Sequence, residues 1–118
     1  MTAYHQIFIQ TSKPEHEFIG DLSSATGAAI TPIEMTSGAP SYGGKFNESV
    51  VEVDMHHDFD DDLGMKFSQY PAMVTIRDVT GDKSAEEETA RRVFEKLKNV
   101  GGYKLLLAFD LQKLLGQS

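Results

Sequence analysis

Residues 84–109 read SAEEETARRVFEKLKNVGGYKLLLAF, an amphipathic helix and a buried strand separated by two glycines. Ser84 with Glu87 forms a capping box, and Glu87–Arg91 and Glu88–Arg92 are favourable i,i+4 pairs. Ala90, Val93, Phe94, Leu97 and Val100 recur at helical spacing as the buried stripe. Gly101-Gly102 ends the helix, and Tyr103–Phe109 is a continuous apolar run of strand length, as expected of a central strand covered on both faces. Asp110 is placed to cap a last short helix ending near Gly116. Upstream, Ala72–Val79 alternates, with Ala72, Val74 and Ile76 on one face and Thr75 and Arg77 on the other.

Working back toward the N-terminus, the same two periods recur. Tyr4–Gln10, YHQIFIQ, sets His5, Ile7 and Ile9 against Tyr4, Gln6 and Phe8, as in a strand with partners on both faces. Ser12-Lys13-Pro14-Glu15 reads as a capping box, followed by Phe18, Ile19, Leu22 and Ala25 at helical spacing and by Gly27 as the stop. Ala28–Met35 is a strand candidate at an edge, because Pro32 lacks a backbone donor. Thr36–Lys45, with three glycines and a proline, reads as a loop. Ser49–Phe59 alternates between Val51, Val53, Met55 and Phe59 on one face and Glu52, Asp54, His56 and Asp58 on the other. The order β-α-β-β-β-α-β predicts a single α+β domain over residues 1–118. The expected architecture is a two-layer sandwich, a mostly antiparallel five-stranded sheet with two helices on one face. It is a ferredoxin-like variant with a short C-terminal helix.

With 118 residues the chain has the length of one domain, and 40% hydrophobic with 25% charged residues is an ordinary globular balance. No cysteine is present, which removes disulfides, thiolate metal sites and thiol nucleophiles. No apolar run is long enough to cross a membrane, and Met1–Gln10 does not resemble a secretory signal, so a cytoplasmic location is expected.

The net charge of −7 argues against direct contact with nucleic acid or anionic membranes. All of it lies between Phe46 and Met65, where Glu48, Glu52, Asp54, Asp58, Asp60, Asp61 and Asp62 occur with no Lys or Arg. The rest of the chain is balanced, so its field has one strongly negative source.

Four chemistries are open to such a segment. A calcium loop beginning at Asp58 has Asp60 and Asp62 at positions 3 and 5 but Leu63 where glycine is needed and Gln69 where a bidentate glutamate belongs. A transition-metal site would use Asp54, His56 and Asp58, which share one face of a strand, whereas His57 points the other way. Paired-carboxylate catalysis lacks a pocket and an asymmetry between the two acids, and no nucleophile elbow or phosphate loop is present; Gly43-Gly44-Lys45 is not a P-loop. The reading preferred from the sequence is non-enzymatic and needs no cofactor. In it Glu48, Glu52, Asp54, Asp58, Asp60, Asp61 and Asp62, with Tyr42 as an exposed aromatic anchor, occlude a basic site on a partner protein such as a toxin or a nucleic-acid-binding enzyme. Phe46, Phe67 and Tyr70 are further aromatics near the segment. In size, acidity and lack of cysteine the chain is similar to small inhibitors such as immunity or antitoxin-like proteins and nucleic-acid mimics. The alternatives are a metal-dependent protein using the Asp/His cluster at 54–62, or a structural domain that self-associates through its sheet edges.

Overall fold

A computed structural model describes residues 4–32, 41–46, 48–55, 61, 65–110 and 113–118. Its elements are β1 (His5–Gln10), α1 (Glu15–Thr26), β2 (Thr31–Pro32), β3 (Ser41–Phe46), β4 (Ser49–Asp54), a 3₁₀ turn (Phe67–Gln69), β5 (Ala72–Asp78), α2 (Lys83–Val100), β6 (Lys104–Phe109) and β7 (Lys113–Gln117). The strands form one sheet in the order β2-β3-β4-β5-β1-β6-β7, and every pairing is antiparallel.

The N-terminal strand thus sits inside the sheet, with Ile7 opposite Val74 of β5 on one side and Leu107 of β6 on the other. That position explains its sequence, since both faces of β1 must be apolar. Ile7 and Ile9 join Val51, Val53, Val74, Leu105 and Leu107 under Phe18 and Leu22 of α1 and Val93 and Leu97 of α2. Phe8 lies on the opposite face in a second, smaller core with Leu106, Ala108, Met65, Phe67 and Tyr70. The rings of Phe8 and Phe67 are 4.3 Å apart, so the segment carrying the 3₁₀ turn lids that part of the open face. Among the described residues no helix is long and apolar enough to cross a membrane.

The fold is α+β with two helices, but the expected five-stranded ferredoxin-like layout is corrected to a seven-stranded antiparallel sheet. Two segments account for the difference. The glycine-rich stretch, read as a loop through Lys45, contains β3, whose Gly44 pairs with Val51. Glycine there serves close approach: a Cβ on Gly44 would stand 2.9 Å from the Ala29 carbonyl oxygen. The C-terminal helix is instead β7, which turns back at Asp110, with φ of 54°, and pairs with β6 across a bulge at Leu107/Ala108. Its Leu114 is exposed and Leu115 is packed against the main core, the alternation of a strand.

Smaller corrections concern strand extents and caps. The strand expected over 28–35 contracts to Thr31–Pro32, and the one expected over 49–59 is observed to Asp54, with 56–60 outside the described residues. Asp82, not Ser84, caps α2 by accepting from the Ala85 N–H, and α1 begins after Pro14 with no side-chain cap from Ser12. Gly27 closes α1 in the left-handed conformation, donating its N–H to Ser23.

Candidate functional site

The acidic segment starts on β4. Glu48 is exposed at the β3–β4 turn, and its carbonyl accepts from the Val79 N–H at 2.8 Å. Glu52 is exposed on the sheet face turned away from the helices, paired with Arg77 of β5 at 2.7 Å. The pair follows from the register, because Glu52 faces Thr75 and Arg77 lies two positions along the same face. Asp54, at the end of β4, is half-buried opposite Met73. The ladder of like charges is therefore partly offset by Arg77, which sequence reasoning did not foresee.

Asp61 is exposed and accepts from the Ser68 N–H at 2.9 Å and hydroxyl at 2.7 Å. These bonds, the backbone one foremost, hold its carboxyl below the usual range. Its role there is to tie the chain before the 3₁₀ turn to the turn itself. His56, Asp58, Asp60 and Asp62 lie outside the described residues, so the metal triad Asp54, His56 and Asp58 is represented by Asp54 alone. Among the described residues no three His, Cys, Asp or Glu side chains are grouped to hold a metal ion.

Tyr42 is not the exposed anchor expected. It is half-buried on β3 against the main core, and its hydroxyl donates to a Glu15 carboxylate oxygen of α1, which raises its pKa above the ordinary value. Its partner Val53 across the strands is fully inside. Phe67 and Tyr70 are likewise buried, in the smaller core.

A second site, absent from the sequence reading, lies at the opposite end of β1. His5 is 1% exposed and Glu86, one turn before Ala90 on the buried stripe of α2, is 0% exposed. Glu86 Oε1 accepts from the His5 main-chain N–H at 3.1 Å and meets its ring Nδ1 at 2.6 Å. Oε2 accepts from the Asp78 N–H at 3.0 Å and from Lys83 Nζ at 3.3 Å. Nδ1 faces a carboxylate that already accepts from three other donors, so it carries the proton of that contact. Nε2 is buried with no hydrogen-bond partner among the described residues.

A cleft of about 500 Å³ opens over this ring, between the first turns of α2 and the β6–β7 hairpin. Phe109, whose ring is 4.6 Å from that of His5, and Leu115 form its apolar wall, and Lys83, Glu87, Arg91 and Lys113 supply charge. Glu87 Oε1 stands 3.7 Å from Nε2, beyond hydrogen-bond reach, while its Oε2 accepts from Arg91 Nε at 2.9 Å. That bond to Arg91 foremost, with the His5 ring at ion-pair distance adding to it, lowers the Glu87 pKa. Two signals in the sequence pointed here: a histidine on the otherwise aliphatic face of β1, and a glutamate extending the apolar stripe of α2.

No protein-family model, no curated protein and no solved structure matches the chain.

Proposed function

We infer that the chain is a non-enzymatic protein-binding module of the inhibitor, immunity or antitoxin-like kind, acting in the cytoplasm by covering a basic site on a partner protein. The observation that carries this reading is the confinement of the whole net charge to residues 46–65, where, of the described acids, Glu48, Glu52 and Asp61 are exposed and Asp54 is half-buried. A balanced protein with one negative source steers a cationic partner to that surface and raises the association rate. Arg77 engages Glu52, so that carboxylate is pre-positioned at the face and not freely mobile. Asp58, Asp60 and Asp62 extend the contact surface in this reading.

The test is capture from cell lysate at low and high salt with the native protein, the E48K/E52K variant and an E95K control that alters charge on an exposed helical position. A basic partner retained by the native protein and by E95K, weakened by salt and lost by E48K/E52K, is the expected result. Equal retention by all three rules the acidic surface out.

A further inference from the structure

We propose that the outer edge of β7 is a docking site for an extended acidic peptide of a partner protein, which adds to the sheet as one more strand. Among the described residues β7 ends the sheet, and nothing pairs on its far side. The register shows which main-chain groups this leaves over. Leu105 and Ser118 exchange both N–H···O bonds at 2.9 Å, so the next pair along, Leu106 with Gln117, is a non-hydrogen-bonded one. The Gln117 N–H and carbonyl therefore point away from β6, toward the open edge. The Leu115 carbonyl is turned toward α2, where Arg91 Nη1 reaches it at 3.5 Å. The opposite edge offers no such run, because β2 has two residues and one of them is Pro32, which has no N–H.

A strand laid along β7 sends alternate side chains to the two faces of the sheet, and a cavity lies on each. On the helix side is the cleft of about 500 Å³, to which β7 gives Lys113 and Leu115. On the other face is one of about 170 Å³, to which it gives Leu114 and Gln117, beside Tyr70 and Leu106 of the smaller core. The exposed Leu114 forms the apolar rim of that second cavity. The charges select the occupant. The cleft carries Lys83, Arg91 and Lys113 against Glu87 and Glu88, and the smaller cavity carries Lys66 with no acid among its described residues. Lys83 is held by Glu86 and Arg91 by Glu87, whereas Lys113 has no ion pair among the described residues. A peptide with carboxylates directed to the cleft and apolar side chains to the smaller cavity complements both. A second copy of the chain would instead bring its own Lys66 and Lys113 up to the same cations. This edge is separate from the acidic surface, and it stands or falls independently of the binding-module reading.

The probe is the peptide acetyl-Thr-Glu-Leu-Glu-Leu-Thr-amide, whose glutamates share one face and leucines the other, titrated to about 2 mM into ¹⁵N-labelled protein. Its controls are the same peptide with lysine for glutamate and one with every amide N-methylated. The expected result is a saturable shift of the Leu114–Gln117 amides, with slowed exchange at Gln117, for the glutamate peptide alone. Two variants at exposed side chains complete the test. Gln117→Pro removes the outward N–H at an edge position that tolerates proline, and should abolish binding while the Leu105 amide stays protected by Ser118. Lys113→Glu should weaken the glutamate peptide by about fivefold or more and admit the lysine peptide. Edge amides unmoved at about 2 mM, equal binding of the lysine or the N-methylated peptide, or full binding by Gln117→Pro would each overturn the site. A native protein that sediments as a dimer with Gln117 already protected would overturn it too, assigning the edge to a second copy.

Discussion

His5 and Glu86, eighty-one positions apart, are joined twice: the carboxylate meets the histidine's main-chain N–H at 3.1 Å and its ring Nδ1 at 2.6 Å. The same carboxylate takes the Asp78 N–H, so one buried side chain of α2 secures adjacent strands β1 and β5. Removing it leaves two strand amides and an imidazole without their acceptor in a dry interior, at a cost well above that of a surface pair. Glu86→Ala is expected to lose about 3–5 kcal/mol in urea unfolding, far more than Glu87→Ala, whose pairing with Arg91 is at the surface. A loss below about 1 kcal/mol for Glu86→Ala would remove the structural role assigned to it.

Asp21 of α1 gives a pH signature. Tyr103 donates to its Oδ2 at 2.5 Å and Lys13 at 3.0 Å, and these bonds, Tyr103 foremost, hold its carboxyl below the ordinary value of 3.8. A depressed folded-state value means the stabilisation is complete above the unfolded pKa and fades as pH falls through the folded one. Native protein should exceed Asp21→Asn by about 1–2 kcal/mol at neutral pH, with the gap closing on acidification below about pH 4. A gap independent of pH from neutrality to about pH 2 would contradict the assignment.

Gly44 and Gly20 make a paired test of where glycine is required. A methyl at Gly44 meets the Ala29 carbonyl oxygen at 2.9 Å and Ile30 Cδ1 at 3.0 Å, whereas nothing lies within 4 Å of one at Gly20. Gly44→Ala should destabilise by about 1–3 kcal/mol through overpacking, and Gly20→Ala, within α1, should stabilise by up to about 1 kcal/mol. Thermal unfolding of the two variants reads the sign directly; a harmless Gly44→Ala would mean that β3 does not lie against 28–30.

The C-terminal strand can be checked by exchange. Leu105 donates its N–H to the Ser118 carbonyl and accepts from the Ser118 N–H, both at 2.9 Å. Deleting residues 113–118 should therefore leave the Leu105 amide exchanging orders of magnitude faster, while amides of β1 stay protected. Unchanged protection at Leu105 would show that β7 does not pair there.

What was legible in the sequence follows from how directly each residue's role depends on its neighbours in the chain. The stripe Ala90, Val93, Phe94 and Leu97 and the double-sided run His5–Ile9 report burial through local period and are buried, whereas Val100, expected in the same stripe, is exposed at the end of α2. Gly44 was misread because glycine signals a turn and a close approach alike, and only the position of Ala29 separates them. Leu114 and Leu115 were taken for helix because two adjacent leucines carry no period; the open edge of β6 decides their state. At the site, charge was readable and pairing was not. Arg77 reaches Glu52 through a register that no local pattern encodes, and Glu86 meets His5 only once β1 is threaded beside β5.

That threading has a consequence for how the protein is made. β1 is the strand with most to bury, yet its neighbours are β5 and β6, and β6 begins at Lys104. At elongation rates of roughly 5–20 residues per second, Ile7, Phe8 and Ile9 wait about 5–20 s for both flanks to be synthesised. In nascent chains these three side chains thus stay uncovered until β6 has been made. Protein yield in cells should depend more on chaperone supply during that interval than on the stability of the finished sheet.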